Sequence, residues 1–190
     1  MPNKIVCLSL TLSLFLSGCD LGPSNVESGT RDQVLHLGNG TEPKDLDPHS
    51  VTGVPEHNII SALFEGLVSV NPKTLAPEPG IAASWTIAND GKRYTFAIRD
   101  NAKWSNGDPV TADDFVWSWK RMLLPAMASE YAYQLFTVKN AKQFNHGDIT
   151  DFNQVGVKAL NAKTLQVDLE NPTPYFLSLL AHYSTYAVHP

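Results

Sequence analysis

Between Gly80 and Pro125 the chain reads GIAASWTIANDGKRYTFAIRDNAKWSNGDPVTADDFVWSWKRMLLP, and the spacing of its apolar residues leaves few choices of local fold. Trp85 and Ile87 alternate with polar neighbours, and so do Tyr94, Phe96 and Ile98. A period of two sets one face of each run against a core, and Asn89-Asp90-Gly91 between them is turn chemistry, so a β-hairpin is expected. A second turn at Asn106-Gly107-Asp108-Pro109 leads into Thr111-Ala112-Asp113-Asp114. The Thr-x-x-Asp spacing lets a hydroxyl and a carboxylate satisfy the free N–H groups of a helix start, which puts that start at Ala112. Phe115, Val116, Trp119, Met122 and Leu123 then share one helical face, and Pro125 stops the helix. Asp113 and Asp114 at the start, and Lys120 and Arg121 near the end, complement the helix dipole. Those carboxylates are thereby explained without acid–base work. The block is scaffold, and function must come from elsewhere.

At the N-terminus, Lys4 precedes an apolar run from Ile5 to Leu16, too short to span a bilayer and suited to the core of a signal peptide. The chain is therefore expected to be exported, with residues 1–18 as the signal. The run ends in Leu16-Ser17-Gly18-Cys19, which resembles the lipobox of bacterial lipoproteins, so Cys19 is expected to become a lipidated N-terminus. Asp20 behind it resembles the signal that retains Gram-negative lipoproteins at the inner membrane. Cys7 lies within the presumed signal, so no disulfide is expected and the fold must rely on a packed core.

A formal charge of -5 and the lack of any Lys/Arg-rich run argue against nucleic acid as a partner. With 43% hydrophobic and 17% charged residues, the rest of the chain has the composition of a globular domain. Residues 19–32, rich in Gly, Ser, Pro and Asn from Leu21 onward, read as a tether between lipid and fold.

Beyond the tether, Val34, Leu35 and Leu37 are expected to form a short strand. Pro55 opens a helix that carries Ile59, Ile60, Leu63, Phe64 and Leu67 on a buried face. Val68 and Val70 make a strand, and Leu75 to Gly80 is extended because its two prolines lack backbone donors. A helix is expected through Tyr131, Tyr133, Leu135 and Phe136, then a turn at Asn145 to Asp148. A second hairpin follows from Val155 to Leu160 and Thr164 to Leu169. Thr173 is placed as the N-cap of a short helix with Pro174 at its first position, running through Phe176, Leu177 and Leu180. Elements alternate without a repeat, so the fold class is α/β: a mixed sheet with antiparallel hairpins against helices. The extended Ala187 to Pro190 leads to the expectation of a truncated chain.

Six histidines are scattered without the i, i+4 helical spacing of a metal pair, so no metal site and no cofactor are expected, and each reads as a surface or satisfied loop residue. No phosphate loop, G-x-S-x-G turn or paired cysteine nucleophile is present, so the chain does not read as an enzyme. Among the aromatics, Trp104 and Trp119 read as core, Trp117 stays open, and Tyr131 and Tyr133 are the better candidates for a ligand wall.

Gly91-x-x-Tyr94-Thr95-Phe96-x-Ile98-Arg99, Trp104-Ser105-Asn106-Gly107, Pro109-Val110-Thr111-Ala112 and Asp114-Phe115 together resemble the signature of peptide-type solute-binding proteins of ABC importers. Leu46-Asp47-Pro48-His49, Gly53-Val54-Pro55-Glu56, Leu63 to Leu67, Val157 to Leu160 and Pro172-x-Pro174-Tyr175-Phe176 extend the likeness. Trp117-Ser118-Trp119-Lys120-Arg121 is most similar to the oligopeptide-binding branch. The resemblance implies a periplasmic-binding-protein-like fold of class II type, in which residues 33–64 begin lobe I, 65–188 form lobe II and 189–190 return to lobe I. It implies a monomer that closes its lobes around an oligopeptide and delivers it to membrane permease subunits, anchored through its N-terminal lipid on the periplasmic side of the inner membrane. Thr52, Gly53 and Val54 match the family segment beside the bound peptide, and Tyr131 matches a pocket tyrosine. Thr52 stands where close relatives carry an acidic residue. Within the same resemblance lies a murein-peptide or other solute specialist; a signalling or adhesive lipoprotein with a protein partner is the alternative from another class.

Overall fold

The structure is a computed structural model that describes residues 22–190. The expected signal peptide, the expected lipidation at Cys19 and the reading of Asp20 lie outside the described residues. Two compact units are distinguished, one ending at Gly40 and one from Thr41 to Pro190.

In the first unit, the segment expected as a tether carries a helix, α1 (Asn25–Asp32). Its chain ends are well satisfied rather than its side chains well packed. Ser24 Oγ accepts the Glu27 N–H at 3.2 Å while Glu27 accepts the Ser24 N–H at 2.8 Å, a capping box that the composition argument overlooked. The expected strand at Val34 to Leu37 does not form. Leu35 and Leu37 are about four-fifths exposed, and the Val34 N–H closes the end of α1 on Gly29 instead of entering a ladder. Alternation is only half of a strand, since its backbone groups also need a neighbouring strand to pair with.

The second unit contains α2 (Val54–Leu63), β1 (Val68–Val70), β2 (Pro77–Pro79), β3 (Ala82–Ile87), β4 (Arg93–Ile98), α3 (Ala112–Leu123), α4 (Ala141–His146), β5 (Val157–Asn161), β6 (Thr164–Asp168) and α5 (Phe176–Leu179). β1 and β2 pair in a small antiparallel ribbon, and the main sheet runs β3-β4-β6-β5 with every pairing antiparallel. In the main sheet Trp85 sits opposite Phe96, Phe96 opposite Leu165, and Val157 opposite Val167. The period-two reading is borne out: Tyr94, Phe96, Ile98, Leu165 and Val167 are buried, although Ile87 near the turn is half exposed. Gly91 turns the first hairpin at φ 69°, a left-handed conformation that suits glycine.

Helix α3 begins where its sequence says it should. Thr111 and Asp114 exchange backbone N–H bonds in a capping box, and the helix lays Phe115, Trp119, Met122 and Leu123 into the core beside β5 and β6. The Asp114 carboxylate also accepts the Trp104 indole N–H at 3.1 Å, tying the preceding turn to the helix start.

Elsewhere the local reading needs correction. α2 stops at Leu63 and buries Ile60 with Glu56, while Leu63 stays 65% exposed, because the helix meets its neighbours along one edge only. Residues 132–135 make a single 3-10 turn in place of an α-helix. The chain has to straighten at once to bring Val138 beside Leu169. α4 was not expected; it ends at His146 with Gly147 as its cap, within the anticipated turn. Thr173 does not cap α5 with its side chain. Its hydroxyl donates to the Asn171 carbonyl and its own carbonyl accepts from Phe176, so the helix starts later. Among the described residues no helix is long and apolar enough to cross a membrane.

Candidate functional site

Thr52, just before α2, and Val54, its first residue, lie exposed, with Gly53 half-buried between them at the N-cap. Gly53 is extended, at φ 175°, so its backbone does not require glycine. Space does: a Cβ there would run into the carboxylate of Glu56. That carboxylate turns inward to accept the Lys44 N–H at 2.8 Å, and this bond, followed by the Glu56 N–H, holds it below the usual carboxylate range. Gly53 therefore has a role inside the fold as well as any toward a ligand.

Tyr131 precedes the 3-10 turn and is half-buried. The residue that brings it to the 51–54 segment is Tyr183, which the sequence reading did not single out. The Tyr183 hydroxyl donates to the Val51 carbonyl at 3.0 Å, across 132 positions of sequence. Its ring meets Tyr131 edge-on at 5.8 Å, lies 5.4 Å from His57 on α2, and stacks on His182 at 4.5 Å. His182 closes the group by lying 4.7 Å from Tyr131. Tyr133, the other expected wall residue, extends the cluster outward from Tyr131 at 6.1 Å and is 55% exposed. Sequence patterning had no means of joining Val51, His57, Tyr131 and Tyr183, because they come from separate elements at no common period.

Burial pushes the Tyr183 phenol up to about 12, with a backbone bond from Gly53 pulling the other way and Tyr131 adding to the rise. Burial, then the charge of His57, holds His182 below the usual histidine value. At neutral pH the Tyr183 phenol and the His182 imidazole are thus neutral, and with the neighbouring rings they make a surface fit for hydrogen bonding and ring contact. His57 Nδ1 lies 3.3 Å from Ser61 Oγ, and His182 Nδ1 lies 2.8 Å from Ser184 Oγ. Neither pair makes a nucleophile relay. Ser61 is one turn along from His57 on an exposed helix face, and His182 also caps the Ser184 N–H in a local turn. Among the described residues no group of three or more His, Cys, Asp or Glu is placed to hold a metal ion.

The tryptophans fall outside this cluster. Trp119 is buried with its indole donating to the Thr185 carbonyl at 2.9 Å, Trp104 is half-buried, and Trp117 is 40% exposed on the far side of α3 from the core.

The family described as bacterial extracellular solute-binding proteins, family 5, matches residues 76–189. The oligopeptide-binding protein OppA of Bacillus subtilis is 45% identical over 187 residues, covering 95% of this chain and 34% of the relative. The periplasmic murein peptide-binding protein MppA of Escherichia coli is 40% identical over 185 residues, covering 96% and 34%. The Haemophilus influenzae OppA structure in complex with the peptide RPPGFSPFR superposes with a TM-score of 0.75 at 43% identity, over 80% of this chain and 29% of that one. The chain spans about a third of the length of the curated relatives it matches.

Proposed function

Because this chain belongs to the family 5 bacterial extracellular solute-binding proteins, we propose that it serves as the oligopeptide-capturing component of an ABC importer. One observation carries the reading. In a chain 45% identical to an oligopeptide-binding protein over 95% of its length, Tyr131 and the 51–54 segment meet at one aromatic cluster through Tyr183. Thr52, Gly53 and Val54 then offer exposed backbone to an extended peptide, and Tyr131 forms part of a side-chain pocket. Backbone bonds supply affinity, and water in roomy pockets adapts to different side chains at small cost, which gives breadth of specificity. The protein performs no chemistry on the peptide: lobes meeting near residues 64 and 65 close on it by hinge motion, and the closed form is handed to the permease. It acts as a monomer held by lipid at Cys19 on the periplasmic side of the inner membrane.

Titration calorimetry with a tri- to pentapeptide library, on the natural chain that carries these 190 residues, is the test. Peptide-dependent heat, weakened by Tyr131→Ala, is expected; no heat with any peptide sinks the reading. A second reading, a murein-peptide specialist, draws on the 40% identical murein peptide-binding relative. Heat confined to muropeptides would select it.

A further inference from the structure

Three stretches far apart in the sequence meet at His49, which is only 1% exposed. Its Nε2 lies 3.0 Å from the Tyr186 carbonyl oxygen. A carbonyl only accepts, so Nε2 carries the proton and Nδ1 keeps a lone pair. Nδ1 lies 2.9 Å from Arg121 Nη1 on α3, a group that only donates. Both neighbours therefore demand the same neutral tautomer. The same guanidinium is gripped by both carboxylate oxygens of Asp47, and Asp47 Oδ1 also accepts the His49 backbone N–H at 3.0 Å.

We propose that His49 is a positioning residue for the Thr52 to Val54 loop, and that adding a proton to its ring releases the loop. The stretch entering the loop is tied to residues 183–186 twice, through His49 to the Tyr186 carbonyl and through Val51 to the Tyr183 hydroxyl. Residues 183–186 also carry the ring that meets Tyr131, so these ties fix the distance between the two sides of the candidate site. A proton on Nδ1 turns an acceptor into a donor aimed at a guanidinium N–H, and sets two cations against each other. The Arg121–His49 bond is then lost, so the stretch from His49 to Gly53 loses its tie to α3, while Asp47 keeps its grip on the guanidinium.

The charged groups facing the ring are mixed. Asp47 on its own segment favours the imidazolium; Arg121, itself flanked by Asp47 and Asp45, opposes it. From the other side comes Tyr186, whose phenol burial and then Glu65 keep in its neutral form. Burial of the ring is the largest effect and, with Arg121, holds His49 below the usual histidine value despite the Tyr186 bond and Asp47. In the unfolded chain the ring takes its proton near about 6.5. The hold on the loop is thus complete above that pH and is lost as pH falls through the lower, folded value.

Its functional meaning rests on Thr52 to Val54 being the peptide-facing loop, but the test reads the loop without peptide and can fail while peptide capture stands. Nitrogen-15 NMR of the histidine rings and amide hydrogen exchange are followed from about pH 8 to pH 5 across the histidine range, for the wild type and His49→Gln. Glutamine keeps one donor and one acceptor and does not titrate. Expected are an Nε2–H tautomer at neutral pH, and on acidification a loss of about tenfold in protection at the His49 and Gly53 amides with β4 amides unchanged. H49Q should show no such loss. An Nδ1–H tautomer, ring protonation without loss of protection, or the same acid response in H49Q overturns the proposal. If H49Q does not fold, the wild type decides, because ring protonation and loss of protection must share one midpoint.

Discussion

In the sheet and α3, Phe96, Phe115, Trp119 and Leu165 are sealed from solvent in one continuous apolar core. Where residues 44–64 cross residues 180–189, a small apolar cluster of Val51, Ile60 and Tyr183, with Phe64 and Tyr186 packed against it, is joined by a chain of polar ties: Asp47 to Arg121, Arg121 to His49, His49 to Tyr186, Tyr183 to Val51. Apolar burial is non-directional and scales with area, so it makes a body rigid without caring much about any one atom. Hydrogen bonds are directional and leave a costly orphan when one partner goes. The body supplies stability; the crossing supplies geometry, and all the candidate site residues stand on or beside the crossing.

The largest effect expected from this difference is in the body. Phe115 is fully buried and lies edge-on to Trp119 at 6.4 Å. Phe115→Ala should cost about 3–5 kcal/mol, read as a lowered urea midpoint with an unchanged slope. A loss below about 1 kcal/mol, the size of a typical surface effect, would show that the core is not what holds the body together.

The same division explains what could be read from the sequence. Tyr94, Phe96 and Ile98 announce their strand by alternation, and Thr111 with Asp114 announces a helix start, because burial and capping leave local, periodic marks. Val34, Leu35 and Leu37 also suggest a short strand and form none, since an apolar run says nothing of a pairing partner. Tyr131 to Phe136 has apolar spacing for a helix, but the bridge from Val138 to Leu169 sets the path of the chain. At the candidate site almost nothing was periodic. Thr52 to Val54 entered through likeness to a family, Tyr131 through its aromatic character as well as that likeness, and Tyr183, His182 and His57 were missed because their meaning lies in bonds across 132 positions or in ring contacts between elements. His49 read as a loop residue, and only the fold shows it buried with both ring nitrogens engaged.

Within the crossing, Arg121→Ala should be the most costly change. It strips Asp47 and His49 of their shared donor, and the pair is about a quarter exposed. A loss of about 2 kcal/mol is expected, less than the 3–5 of a fully buried pair because water can reach the orphaned carboxylate. Burial pushes the Asp47 carboxyl up, but Arg121 and the His49 N–H outweigh it and hold the group below the usual range. Its contribution is therefore present above its unfolded value, about 3.9, and is lost as pH falls through the lower folded one. In the variant that depression is relieved, so the gap between the two proteins in urea melts should narrow toward acid pH. A gap that stays constant with pH would mean that Arg121 acts by packing alone.

Tyr183→Phe is a gentler cut. It leaves every ring contact in place and removes the hydroxyl's bonds, the one to the Val51 carbonyl and the backbone bond from Gly53 among them. The expected loss is about 1 kcal/mol. Its sharper readout is amide exchange, which should quicken around Val51 and Gly53 and not in β4. Uniform quickening across the sheet would erase the distinction between body and crossing.

The smallest effect should come from an ion pair of the same chemistry in the other region. Arg93 and Asp168 sit opposite each other across β4 and β6, with Arg93 Nε 2.5 Å from Asp168 Oδ1. The geometry is as good as that of Arg121 with Asp47, yet the Arg93 side chain is 55% exposed, so solvent and salt screen the attraction and both ions stay hydrated when it is broken. Arg93→Ala is expected to leave the urea midpoint within error, and raising salt should erase any residual difference. If Arg93→Ala matched Arg121→Ala, the two pairs would be equivalent, and the weight given to the crossing would have to rest on its buried histidine rather than on its ion pair.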